Sequence, residues 1–292
     1  MIPREVLKQI RRIQITTSRM VRDVFCGQYQ SVFKGRGMEF DEVREYQPGD
    51  EIRSIDWNVT ARMGHPYIKK FIEERELTVM LLLDLSRSSY FGSVYKLKRQ
   101  IAAEICAVLA FAAIRNNDKV GLIIFTDRIE KFVPPKKGIS HVLRIVRDAL
   151  YFTPSGRKTD IPLALEYLNK VCRRSAVVFI VSDFYDANFE KPLSISNKRH
   201  DVVGITITDP KELDLPDIGV AKFDDPETLT SFILDTSDDA LRQEFHQNAL
   251  RIIQKRKKIF DQMGVDNVDI RSDIPYNRTL FKFFRMRERR LR

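Results

Sequence analysis

Cysteine is scarce: the 292 residues hold three, Cys26, Cys106 and Cys172, far apart and with no C-x-x-C pair. That excludes a disulfide framework and a thiolate metal centre, and it fits a reducing compartment. Four scattered histidines (His65, His141, His200, His246) offer no imidazole cluster and read as surface or packing residues. Long apolar runs are missing too. The longest, Ile105 to Ile114, is ten residues and too short to span a bilayer. The first 25 residues read as a charged amphipathic helix, not as a signal peptide, so the chain reads as soluble and cytoplasmic. No P-loop or G-x-S-x-G elbow occurs, and Gly35-x-Gly37 lacks the third glycine and strand-to-helix context of a dinucleotide fingerprint.

What is present is a chain with 43% hydrophobic and 31% charged residues, enough for a substantial core in one large domain or two unequal ones. The net charge of +10 raises nucleic-acid binding, but the basic residues are spread out. Their one dense cluster runs from Arg285 to Arg292, and no zinc finger, RNP motif or recognition helix accompanies it. Residues 271–292 therefore read as a basic solvated tail, with contact to acidic protein, lipid head groups or RNA as its other use, so that a basic nucleic-acid or membrane-surface binding protein stays an alternative reading of the chain.

Residues 1–76 read as an N-terminal helix (Val6, Ile10, Ile13, Met20 and Val24 at near-helical spacing) followed by a small β-rich element. That element spans Ser31 to Glu76, is rich in turn formers, and includes the extended stretch Tyr67 to Ile72. Over 77–270 strands and helices alternate. Strands are expected at Thr78–Asp84, Lys119–Phe125, Arg128–Phe132, Ala176–Ser182 and Val202–Thr208, and helices at Lys96–Arg115, Ile139–Leu150, Ile161–Arg173 and Ala240–Met263. Asp127-Arg128 reads as a hairpin turn and 218–235 as an edge hairpin. Near-continuous apolar strands separated by helices predict an α/β fold with a doubly wound, mostly parallel sheet.

The run Leu81-Leu82-Leu83-Asp84-Leu85-Ser86-Arg87-Ser88 ends a buried strand in a D-x-S-x-S pattern. Its side chains are hard oxygen ligands, suited to Mg²⁺ and also to Mn²⁺ or Ca²⁺. Ligands of open α/β sheets bind just past the carboxyl ends of strands, where this run sits. Two further segments fall at such ends: Ser155-Gly156-Arg157-Lys158-Thr159-Asp160, and Val181-Ser182-Asp183-Phe184. Each has a local alternative, a helix N-cap for Thr159 or Asp160 and a strand-ending turn for Asp183.

Asp84-x-Ser86-x-Ser88, Thr159 and Asp183 together resemble the metal-ion-dependent adhesion site of von Willebrand factor A domains, over residues 77 to about 265. A second resemblance lies upstream. Gly35-Arg36-Gly37-Met38-Glu39-Phe40, Arg44-Glu45-Tyr46-Gln47-Pro48-Gly49-Asp50 and Arg53-Ser54-Ile55-Asp56-Trp57-Asn58, through Ala61-Arg62, look like the signature of the family called domain of unknown function 58. The von Willebrand factor A resemblance implies that Ser86, Ser88 and Thr159 ligate a metal, with Asp84 and Asp183 acting through waters and hydrogen bonds to the hydroxyls. It implies docking of a partner's Asp or Glu rather than catalysis. The second resemblance implies a partner or adaptor role beside a MoxR-type AAA+ ATPase or its client, because members are commonly encoded next to such ATPases.

The chain departs from the common adhesion-site pattern at Arg157-Lys158, where small residues are frequent, and at Ser89-Tyr90, where a hydrophobic residue often follows; neither removes a ligand. In the upstream signature, Arg36, Glu39, Arg44, Asp50, Arg53, Asp56 and Arg62 suit a charge-paired scaffold beside Trp57. Arg36, Arg53, Trp57 and Arg62 also suit an interface hot spot. The rival function is a Mg²⁺- or Mn²⁺-dependent phosphoester hydrolase with Asp183 or Asp160 activating a metal-bound water. No second metal cluster or spaced acid–base pair supports it.

Overall fold

The computed structural model describes Tyr29, Val32, 42–47, Ile55, 57–70, 76–225, Glu227 and 230–291. The expected helix over 4–24 and the Arg36 and Arg53 side chains lie outside these residues. Near the N-terminus, strand β1 (Glu42–Glu45) pairs antiparallel with β2 (Tyr67–Lys70), and helix α1 (Trp57–Met63) lies between them in sequence.

From there the chain alternates. Strand β3 (Thr78–Asp84) leads through a 3₁₀ turn (Arg87–Tyr90) to α2 (Lys98–Arg115), β4 (Lys119–Phe125), β5 (Ile129–Lys136) and α3 (Ile139–Tyr151). Then come α4 (Ile161–Val171), β6 (Val177–Ser182), α5 (Glu190–Arg199) and β7 (Asp201–Thr208). The hairpin β8 (Val220–Asp224) and β9 (Ser231–Asp235), helix α6 (Asp239–Met263), β10 (Asp266–Arg271) and α7 (Tyr276–Leu291) complete it.

Six strands form one sheet in the order β10-β7-β6-β3-β4-β5, parallel except for β5, which runs antiparallel to β4. The doubly wound fold expected from the sequence is the fold observed. Strand side chains alternate between two cores. Val79, Leu81 and Leu83 face α2, α3 and α7, while Met80 and Leu82 face α4, α5 and α6. Helix α2 is apolar on nearly every side because it is enclosed, its alanines allowing close approach. The chain builds outward from β3 through β4 to β5, then crosses to β6 on the other side. The carboxyl ends of β3 and β6 thus flank the switch point, where a crevice is left for ligands.

Most expected elements match within a residue or two. Strand β5 continues past Phe132 through Pro134-Pro135, which an edge strand tolerates. The 218–235 hairpin forms, as a separate two-stranded sheet rather than an edge of the main one. Four helices or strands were not anticipated: α1, inside the stretch read as β-rich, and α5, β10 and α7.

The largest correction concerns 271–292, which is not a solvated tail. Helix α7 buries Leu280, Phe283 and Phe284 in the core. Arg287 pairs with Asp201 at 2.5 Å and Asp266 at 3.6 Å, and Arg290 pairs with Asp266 at 2.9 Å. The basic run masked an amphipathic helix whose arginines on one side meet acids at the β7 and β10 ends. Among the described residues no helix is long and apolar enough to cross a membrane.

Candidate functional site

The carboxyl end of β3 delivers Asp84, which is buried along with Ser86. Asp84 Oδ1 accepts the Ser86 N–H at 2.8 Å, folding the chain back so that the two serines lie on the same side. Ser86 Oγ and Ser88 Oγ are 3.0 Å apart. The Ser89 hydroxyl caps the turn by donating to the Ser86 carbonyl at 2.7 Å.

The second loop is fastened to the first by a backbone hydrogen bond from Arg87 N–H to the Arg157 carbonyl, 2.8 Å. It is held from the other side by Glu130, whose carboxylate accepts the Ser155 and Gly156 amides at 2.9 and 2.6 Å. Gly156 sits so close to Thr126 and Asp127 that a Cβ would collide with both side chains. Asp160 caps α4 by accepting the Leu163 N–H at 2.8 Å, so its local alternative is its structural role. Thr159 is thereby presented to Asp84 Oδ2 at 3.3 Å.

The third loop follows β6. Ser182 donates to Asp84 Oδ2 at 2.6 Å and accepts the Phe184 N–H at 3.0 Å. Phe184 has a φ of 56°, a left-handed conformation costly for a side chain of its size. Its ring packs against Phe189 and Phe260, centroids 5.9 and 5.1 Å away, and that apolar anchor holds the turn that aims Asp183.

The structure therefore brings together all five residues singled out in the sequence: Asp84, Ser86, Ser88, Thr159 and Asp183. It adds four that were not. Ser182 joins the two acidic loops through Asp84. Lys98, at the start of α2 and buried, pairs with Asp183 at 2.7 Å and with Glu212 at 2.6 Å. Glu227, from the β8–β9 turn, places Oε1 3.5 Å from the Thr159 hydroxyl. No sequence signal marks the pairing of Lys98 with Glu212, since 114 residues separate them. A cavity of about 10 Å³, at the lower limit for one water, lies beneath the site between Asp84, Ser88, Lys98 and Asp183.

The carboxylates are not equivalent. Burial pushes Asp183 up, but the Lys98 ammonium and hydrogen bonds from Lys98, Ser88 and the Tyr185 amide outweigh it and hold it below the ordinary range. Burial lowers Lys98, but Asp183 and Glu212 overcome this and keep it firmly protonated. Asp84 has hydroxyl and amide partners, and among the described residues no ammonium or guanidinium forms an ion pair with it. Burial, then repulsion from Asp183, raises it to about 6. Glu227 is raised to about 7 by burial, then by Asp183 and Asp84.

Of the upstream residues, Trp57 and Arg62 both lie on α1 and are exposed, Trp57 with 67% of its surface accessible. The charge-paired scaffold read beside Trp57 falls mainly outside the described residues.

Residues 42–255 match the family described as "Protein of unknown function DUF58". The chain belongs to this family. Its relatives include the uncharacterized proteins Rv1480 of Mycobacterium tuberculosis and Mb1516 of Mycobacterium bovis, each 30% identical over 96% of this chain and 89% of the relative. Among solved structures, it is similar to an aerotolerance-related membrane protein from Bacteroides fragilis (TM-score 0.48, 16% identity, 73% of this chain and 99% of that one). It is also similar to the SpRpn10 VWA domain (TM-score 0.34, 15% identity, 45% of this chain and 75% of that one). The fold of this DUF58 protein is described by its own strand order, a doubly wound sheet with the D-x-S-x-S turn at the switch point.

Proposed function

We propose that this DUF58 protein is a metal-dependent protein-interaction module, with Ser86, Ser88 and Thr159 holding a Mg²⁺ ion whose open position takes a partner's Asp or Glu. The carrying observation is the buried Asp84 carboxylate, faced by hydroxyls and lacking a cationic partner among the described residues. A divalent cation would supply the missing charge. The donor set fits: neighbouring ligands of an octahedral Mg²⁺ lie about 2.9 Å apart, from its roughly 2.05 Å bonds, and the two serine oxygens are 3.0 Å apart. Among the described residues no group of three or more His, Cys, Asp or Glu is placed to hold a metal, so an ion here would depend on the hydroxyls. Mn²⁺ or Ca²⁺ would suit the same oxygens.

Neutral hydroxyls leave the ion's charge largely unspent, which favours an anionic sixth ligand over bond cleavage. The Lys98 pairing also keeps Asp183 from serving as a base, which weighs against the hydrolase alternative. The partner class, a MoxR-type AAA+ ATPase or its client, is what the family resemblance implies and is part of this proposal. A pull-down with such an ATPase as bait is expected to capture the parent in Mg²⁺ and lose it in EDTA or on Ser86→Ala. Equal capture under all three conditions would refute the metal-dependent reading.

A further inference from the structure

The β8–β9 hairpin is a small sheet of its own, with Val220 opposite Asp235 and Asp224 opposite Ser231. It is pinned at the base. Ile218 N–H donates to the Thr236 hydroxyl at 2.9 Å, and Thr236 N–H to the Gly219 carbonyl at 2.9 Å, with Thr236 itself fully buried. Gly219 has a φ of 76°, a turn that a side chain would strain, which lets the hairpin leave the body sharply. Phe223 and Phe232 stack at 6.0 Å and stiffen the ribbon. Val220 and Ile233 are each 71% exposed, so one side of the arm lies open to solvent.

Two contacts of described residues bear on Glu227. Asp225 N–H bonds the Thr230 carbonyl at 2.9 Å, closing the turn, and Asp225 Oδ1 accepts the Glu227 N–H at 2.9 Å. That geometry extends Glu227 toward Thr159, at 3.5 Å, the outer limit of a hydrogen bond. The same threonine hydroxyl faces Asp84 at 3.3 Å. A third carboxylate therefore approaches a place already holding Asp84 and Asp183, where like charges repel. Among the described residues no lysine or arginine pairs with Glu227 to offset this. A cation held by the hydroxyls would.

From this placement we infer that Glu227 is the site's internal ligand: the hairpin holds its carboxylate where a partner's Asp or Glu would dock, and the arm must lift before a partner can enter. The inference rests on the proposed reading of the site as a cation-binding one. Glu227 is thus a built-in competitor. The long contact keeps it displaceable, and the stiff ribbon turning about Gly219 allows it to leave as a unit.

The test uses the full chain and Mn²⁺ as the probe, with hydrogen exchange read at the amides of Val220–Asp224 and Ser231–Asp235. In the parent, Mn²⁺ is expected to slow exchange across both strands; in Glu227→Gln the metal still binds but this protection is lost. On the Mn²⁺-saturated proteins, a synthetic peptide with a single Glu is expected to bind about tenfold tighter to Glu227→Gln than to the parent, because the internal competitor is gone. Glu227→Ala should behave the same way, and matching thermal melts establish that both variants fold. If Mn²⁺ binds the parent but leaves hairpin exchange unchanged, or if peptide affinity is the same in parent and variant, Glu227 is not a ligand and only this inference falls. If Mn²⁺ does not bind the parent at millimolar concentration, the proposed function falls with it.

Discussion

Replacing Asp84 by Asn should stabilise the metal-free protein, although Asp84 is buried and has three hydrogen-bonding partners. The folded carboxyl titrates near 6, against an ordinary value of 3.8. Its folded-state value is raised, so the folded protein holds the proton more tightly than the unfolded chain. Stability attributable to this group is therefore intact below about pH 4 and declines as pH rises through 6. At pH 7.5 the penalty is on the order of 3 kcal/mol. An amide at position 84 keeps Oδ1 as acceptor for the Ser86 N–H, turns an NH2 donor toward the Ser182 and Thr159 hydroxyls, which must then accept, and carries no charge against Asp183. Allowing for imperfect rearrangement, the expected gain is about 1–3 kcal/mol, or up to roughly 6 °C in melting temperature for a chain of this size. Thermal melts of parent and Asp84→Asn in EDTA at pH 7.5 and pH 4 measure it, and the advantage of the variant should shrink toward zero at pH 4. Mg²⁺ should reverse the order at pH 7.5, stabilising the parent by about 4.1 kcal/mol at a thousand times its dissociation constant and the variant far less. A variant less stable than the parent by the same margin at both pH values, with no response of the parent to Mg²⁺, would refute the reasoning.

Lys98→Met leaves the buried Asp183 carboxylate, and the partly exposed Glu212 beside it, without their cation, and urea unfolding at pH 7.5 should show a loss of about 3–5 kcal/mol. Removing the more exposed Lys96, paired with Glu104 at 2.6 Å, should cost under about 1 kcal/mol. Truncation before Tyr276 removes Leu280, Phe283 and Phe284 from the core, each worth about 1.5–3 kcal/mol, so the shortened chain should lose its cooperative melt or aggregate. A solvated tail could be removed with no change in the melt.

Much of the fold was legible because it is written in local patterns. Strands β3, β4 and β6 are continuous apolar runs, as burial on both faces requires, and the helices between them carry enough apolar residues to cover a sheet. Helix α5 was missed because Ser194, Ser196 and Asn197 weaken its periodicity, and it carries Pro192 in its first turn. Strand β10 is a short polar–apolar alternation that takes its identity from pairing with β7. In α7 the charge of the arginines overshadowed the spacing of Leu280, Phe283 and Phe284, which becomes meaningful only against the β10 end of the core.

The site divides along the same line. The sequence by itself determined that Asp84, Ser86, Ser88 and Asp183 sit at or just past strand ends, because residue type and strand termination are local properties; Thr159 lies instead in the loop between α3 and α4, and the tertiary fold brings it to them. Only the tertiary structure decided which carboxylate is neutralised. Lys98 meets Glu212 across 114 residues of chain and Glu227 meets Thr159 across 68, and electrostatic energy depends on distance in space rather than on distance along the chain. That is why Asp183 is already paired, Asp84 has no ammonium or guanidinium partner among the described residues, and a third carboxylate waits at the tip of a hairpin.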